Sequence, residues 1–226
     1  MSMKVHWIVP LVLVLFVNGC TYHGQVRRGI YNKSASSSPI NASVLVLADK
    51  GIPLEMLITD TENSDTQSFL LKTKDGVTAA VTDALGTLFK IADAGDRQIQ
   101  NQYNFVADVR IESGLTRNSC EGELAKWAVR KEGLCTILTI SLRHPDGTAV
   151  TQAKATQWQE FRTPGFASSV RWVNKHTWIF APILTPIYMQ SQGNTLRQQF
   201  EDNLTNALTD IISQLEEKRT LFDALM

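Results

Sequence analysis

Histidine and cysteine are scarce in this chain of 226 residues, with four of the first and three of the second. None of His6, His23, His144 and His176 stands in a metal-binding spacing such as H-E-x-x-H. No serine lies in a G-x-S-x-G elbow, and neither a Walker loop nor G-x-G-x-x-G occurs. The local signatures of zinc hydrolysis, acyl transfer and nucleotide binding are therefore missing. Glu121 and Glu123 form an acidic pair beside Cys120, but paired carboxylates on a loop are usually solvated. The expectation is a non-enzyme without metal or cofactor. An excess of charge is missing too: 22 basic residues balance 22 acidic ones, which argues against a general nucleic-acid binder.

What is present begins at the N-terminus. Met1-Ser-Met-Lys4 is a short basic start. Trp7 to Val17 is an apolar run shorter than the ~20 residues a permanent membrane span needs. Asn18-Gly19-Cys20 closes it with small residues. Basic, apolar and then a small-residue cut site is the order of a secretory signal, so residues 1–19 are read as a signal peptide. Val17-Asn18-Gly19-Cys20 resembles the lipobox of bacterial lipoproteins, with Gly19 and Cys20 matching it. The resemblance implies cleavage before Cys20 and lipidation of that cysteine by three acyl chains, palmitate among them. Two or more chains hold a protein stably on a membrane. It also implies a place: Thr21 follows the cysteine where Asp would favour the inner membrane, so the outer membrane's inner leaflet, facing the periplasm, is expected. An ordinary signal peptide or an N-terminal anchor helix is the alternative reading of the same residues.

Export bears on the two remaining cysteines, because an oxidising compartment favours bridges. A disulfide between Cys120 and Cys135 would close a loop of roughly 15 residues and contribute ~3 kcal/mol in the chain-entropy account. Two free thiols or a metal pair are the alternatives.

Residues 20–42 carry little apolar periodicity, and Ser34 to Pro39 is a run of small residues ending in proline, which predicts a lipidated, flexible tether. Residues 43–226 are read as a single periplasmic domain. Ser43 to Ala48 is apolar and β-branched, which suits a buried strand. Met56 to Thr59 and Gln67 to Leu71 are weaker strands. Asp75 looks like the N-cap of a helix whose stripe is Val77, Ala80, Val81, Ala84, Leu85 and Leu88. Ala92 to Asn101 reads as loop. Tyr103 to Glu112 alternates, with Phe105, Ala107, Val109 and Ile111 on one side and Asn104, Val106, Asp108 and Arg110 on the other. Leu134 to Arg143 and Thr148 to Glu160 flank His144-Pro145-Asp146-Gly147, a tight-turn sequence, and predict an antiparallel hairpin. From Asn194 the stripe Leu196, Phe200, Leu204, Ala207, Leu208, Ile211 and Leu215 predicts an amphipathic helix of about six turns. The expected class is α+β: a mainly antiparallel sheet with the C-terminal amphipathic helix and one shorter helix packed on one face. This layout resembles, in order of elements only, periplasmic lipoproteins of the lipopolysaccharide-assembly type.

Phe161 to Phe200 contains no Asp or Glu but carries Arg162, Arg171, Lys175 and Arg197, with Phe166, Trp172, Trp178, Phe180 and Tyr188. Its apolar centre holds Pro182 and Pro186, which are expected to forbid a central strand and break a helix. It is either a segment closing the core or an exposed apolar and basic surface. In the second case Trp172, Lys175, Trp178 and Phe180 make a partner or membrane contact. The functional expectation is a non-catalytic accessory or scaffold of a cell-envelope assembly, export or secretion complex, working through protein–protein interaction. A lipid-binding periplasmic carrier or an envelope hydrolase is the alternative.

Overall fold

The computed structural model describes residues 21–32, 38–48, 51–60, 67–115, 133–160 and 181–225. Among these residues eight strands form two sheets. Strands β1 (Thr21–Gln25), β3 (Glu55–Asp60) and β4 (Gln67–Lys72) make the smaller sheet, in the order β1-β4-β3. Strands β2 (Ile40–Leu47), β5 (Phe89–Gly95), β6 (Phe105–Leu115), β7 (Gly133–Arg143) and β8 (Ala149–Glu160) make the larger, in the order β5-β2-β6-β7-β8. Among the described residues three α-helices accompany them: α1 (Lys74–Leu88), α2 (Ala181–Glu216) and α3 (Arg219–Ala224). The class is α+β, with the C-terminal helix packed on the larger sheet. The strand sense is more mixed than the sequence suggests. The long pairings β6–β7 and β7–β8 and the hairpin β3–β4 are antiparallel, whereas β1–β4, β2–β5 and β2–β6 are parallel.

Burial explains which elements stand where. Val44, Leu45 and Val46 are all fully buried, so β2 is covered on both faces, as a continuous apolar run between parallel neighbours requires. One face looks onto the helices. The other meets a small cluster of Leu45, Leu47 and Val106 with Ile99 and Tyr103. The α1 stripe is buried at all six expected positions, and so are the seven α2 positions from Leu196 to Leu215. Phe222 of α3 packs edge-on to Phe89 and Phe105, with ring centroids 5.4 and 5.5 Å apart. The β7–β8 hairpin turns where the sequence places it. Gly147 takes φ +97°, its amide donates to the His144 carbonyl at 2.9 Å, and Asp146 Oδ1 accepts the Thr148 amide at 2.8 Å.

Four local expectations are corrected. The cap of α1 is Thr73, not Asp75, and its hydroxyl donates to the Pro53 carbonyl at 2.7 Å instead of capping the helix. Asp75 sits in the first turn and pairs with Arg28 at 3.3 Å. The expected loop from Ala92 contains most of β5, which follows α1 without a break. As an edge strand buried only at Phe89, it shows no apolar period. The helix expected from Asn194 is α2, which starts at Ala181, thirteen residues earlier, and runs for 36 residues through both prolines. Pro182 lies in the first turn, where an amide would have no intrahelical partner, and Pro186 deletes a single bond to residue 182. Finally, the start of the expected tether is structured. Thr21–Gln25 is a strand registered with Ser68–Lys72, and Tyr22, Val26 and Tyr31 are buried.

Candidate functional site

With the helices on one face of the larger sheet, the other face of β6, β7 and β8 forms the floor of a groove of about 690 Å³. Strand alternation puts Asp108, Arg110 and Glu112 of β6 there, beside Thr139 and Ser141 of β7 and Gln152 of β8. The register stacks them in rungs: Asp108 opposite Ser141 opposite Gln152, and Arg110 opposite Thr139 opposite Lys154. Arg143 Nε donates to Asp108 Oδ2 at 2.7 Å, and Arg110 reaches Glu112 at 2.7 Å. Gly51, Pro53 and Arg97 line the wall. Gly51 is there because nothing larger fits: a Cβ would lie 1.8 Å from the Val109 carbonyl oxygen, and the Gly51 carbonyl accepts the Ile111 amide at 3.0 Å. The groove continues past Pro53, Ile111 and Glu112 into a second space of about 420 Å³ lined by Glu55, Met56, Leu57 and Ser113. One end thus offers hydroxyls, carboxylates and guanidinium groups, and the other Pro53, Met56 and the exposed Leu57. That lining can hydrogen-bond an extended polar chain and seat an apolar side chain beyond it.

A second arrangement fastens the N-terminal strand to α2. The Tyr22 hydroxyl donates to Asn194 Oδ1 at 2.9 Å, and its ring lies directly on Gly193. Five residues on, Arg27 gives three bonds to the buried carboxylate of Glu201: from its amide at 2.9 Å, from Nε at 2.8 Å and from a terminal nitrogen at 2.5 Å. The carboxylate raises the Arg27 guanidinium above its ordinary pKa, through the bond first and the charge second. Burial raises the Tyr22 phenol as well, opposed by the charge of Arg197.

Of the residues singled out in the sequence, Cys20, Cys120, Trp172, Lys175, Trp178 and Phe180 lie outside the described residues, as do Glu121 and Glu123. Cys135 is fully buried in β7, on the groove side of the sheet, beside Ile137 and Trp158. Sequence reasoning found the polar face of β6 but not its partners across β7 and β8. It missed the Arg27–Glu201 contact entirely, since 174 residues separate the two and neither position carries a local signal. Among the described residues no group of three or more His, Cys, Asp or Glu could hold a metal ion, and no helix is long and apolar enough to cross a membrane. No protein-family model matches the chain, and no curated protein matches it significantly.

Proposed function

We propose that the mature chain is an outer-membrane lipoprotein, acylated on Cys20 and facing the periplasm, that serves as a non-catalytic accessory or scaffold of a cell-envelope assembly, export or secretion complex. The observation that carries this reading is the fastening of Thr21–Arg27 to α2. A lipid on the residue before Thr21 joins the domain with no slack, which suits a component that must be held in a fixed pose on a membrane. The groove supports the second half of the reading. Its charged and hydroxyl lining fits a polar or peptide partner better than an acyl chain, and its paired ions fix a register more than they add affinity. The bridge between Cys120 and Cys135 belongs to the same proposal.

Fractionation tests the anchor: Cys20→Ser is expected to move the protein from the outer-membrane to the soluble fraction. Site-specific photocrosslinking from Gln152 in intact cells tests the groove. A defined partner is expected to be captured, and Arg110→Glu is expected to reduce that capture without lowering the melting temperature. A Cys20→Ser protein that stays in the membrane fraction refutes the anchoring.

A further inference from the structure

The geometry points to the outer edge of β3 as a docking edge for an extended backbone segment of another protein, added as a fourth strand to the smaller sheet; this names the partner chemistry of the groove and rests on the groove half of the proposed function. The bonding of the neighbours fixes which groups of β3 face outwards. Among the described residues β4 is the one neighbour of β3 in the order β1-β4-β3. The Lys72 carbonyl accepts the Val26 amide at 3.0 Å, so Lys72 turns its backbone groups away from β3. Its partner across the ladder is Glu55. Glu55 therefore turns its own amide and carbonyl away from β4, and by alternation so does Leu57. The Leu54 carbonyl, one residue earlier, keeps the same phase by accepting the Thr73 amide at 3.1 Å. Two donors and two acceptors thus stand in a row about 7 Å long with no strand opposite.

Space lies beside this row. The extension of the groove, of about 420 Å³, separates β3 from Ile111, Glu112 and Ser113 of β6. Strand β6 belongs to the other sheet, so this space borders the edge that β4 does not fill. Leu57 is 58 % exposed, and opposite it in β4 stands the half-buried Leu70. A strand laid on the edge sets one of its side chains against this apolar rung. Pro53 has no amide to give, so ladder pairing ends there and the segment passes into the larger groove, along Gly51 and the Asp108–Arg110 face. A row of amides and carbonyls at the strand repeat is matched by another extended backbone, whereas an acyl chain offers it neither donor nor acceptor. Elsewhere the molecule closes its edges: Gln214 of α2 occupies that of β8. An edge left open with an apolar side chain on it favours pairing.

The test begins in intact cells, with the full chain carrying a photocrosslinking residue at position 57 and the crosslinked peptide sequenced. The expected product joins position 57 to a segment of another envelope protein. That segment is then synthesised and bound to the purified protein. Amide exchange is expected to slow about tenfold at Glu55 and Leu57 and to stay unchanged at Met56, whose amide already faces β4. N-methylation of one alternate set of the peptide's amides is expected to weaken binding about tenfold, and of the other set to leave it nearly unchanged. Leu57→Pro removes an outward amide but no β3–β4 bond, so it is expected to lose about tenfold in peptide affinity with a melting temperature close to that of the wild type. Exchange and methylation decide the question whether or not that variant folds. A crosslink to a second copy, to another part of this chain, or to nothing overturns the inference, as does a peptide that binds without slowing exchange at Glu55 and Leu57. If Gln152 captures a partner in those cases, the groove reading stands without the edge; if Gln152 captures none either, both fail.

Discussion

Gly193→Ala pits two effects of opposite sign against each other, and the structure says which one wins. Gly193 lies inside α2 without a positive φ, so on propensity alone alanine stabilises the helix by about 1 kcal/mol. A Cβ built there, however, lies 2.1 Å from Tyr22 Cγ and 2.3 and 2.4 Å from its two Cδ atoms. Something has to move. Swinging the ring into water would expose most of an aromatic side chain of roughly 150–250 Å², which at ~25 cal/mol per Å² costs as much as 4–6 kcal/mol. Separating β1 from α2 slightly is cheaper, at about 1–3 kcal/mol for overpacking, with about 1 kcal/mol more for the Tyr22–Asn194 bond. After the propensity gain the net loss is about 2 kcal/mol, which lowers the melting temperature by about 4–8 °C for a chain of this size. The measurement is a pair of melts, in the wild-type and in the Tyr22→Ala background. With the ring gone, Gly193→Ala is expected to become neutral or stabilising, giving a coupling of about 2–3 kcal/mol. If Gly193→Ala raises the melting temperature of the wild type, the close packing of β1 on α2 is wrong.

Burial raises the phenols of both Tyr22 and Tyr31 above the ordinary 10.0, so in the folded protein both resist ionisation. Their contribution is complete below pH ~10 and falls as pH rises through the raised values; urea midpoints are expected to drop above pH 10, and to drop less in the Tyr22→Phe/Tyr31→Phe variant. The side-chain amide of Gln214 both donates to the Lys154 carbonyl at 2.9 Å and accepts the Lys154 amide at 3.3 Å, which occupies the outer edge of β8. Gln214→Ala is expected to cost no more than about 1 kcal/mol, yet to speed amide exchange at Lys154 and promote self-association through the opened edge. Reduction of the proposed Cys120–Cys135 bridge is expected to remove about 3 kcal/mol, read as a lower melting temperature that Cys120→Ser reproduces and that reductant does not lower further.

The parts of the fold legible in the sequence are those whose order comes from near neighbours. The α1 stripe and the second half of α2 repeat at three and four residues because each buries one face, and the β7–β8 turn announces itself through Pro145 and Gly147. The parts that were not legible are fixed by distant ones. Strand β1 has a single buried side chain, Tyr22, and is a strand because β4, some 47 residues away, offers it a parallel backbone. Strand β5 is mostly exposed and is ordered by β2. The first half of α2 carries prolines and glutamines that no period rewards. Even so, Pro182 costs no intrahelical bond and Pro186 only one, while Tyr188 and Met189 supply burial in return. In the groove, Asp108 and Arg110 were visible as the polar side of an alternating strand. Ser141, Gln152 and Arg97 join them only through the register and the 3₁₀ turn over Arg97–Gln102.

The buried polar residues of α2 explain why its position on the sheet is fixed. A stripe of Leu, Ile, Ala and Phe is nearly indifferent to a slide of one helical turn, about 5.4 Å. Its polar neighbours are not. Asn203 Nδ2 donates to the Leu134 carbonyl at 3.0 Å, Gln199 Nε2 to the Glu160 carbonyl at 2.7 Å, and Glu201 takes Arg27. All three side chains are buried, so a slide would leave each of them without its partner at about 1–3 kcal/mol apiece. Gln214 and Lys218 repeat the device at the other end, against Lys154 and against Thr151 and Gln152. Helix α2 is thus pinned near β1 at one end and beside the groove's Gln152 rung at the other. A force applied at Thr21 therefore reaches the Gln152 rung of the groove through one continuous helix.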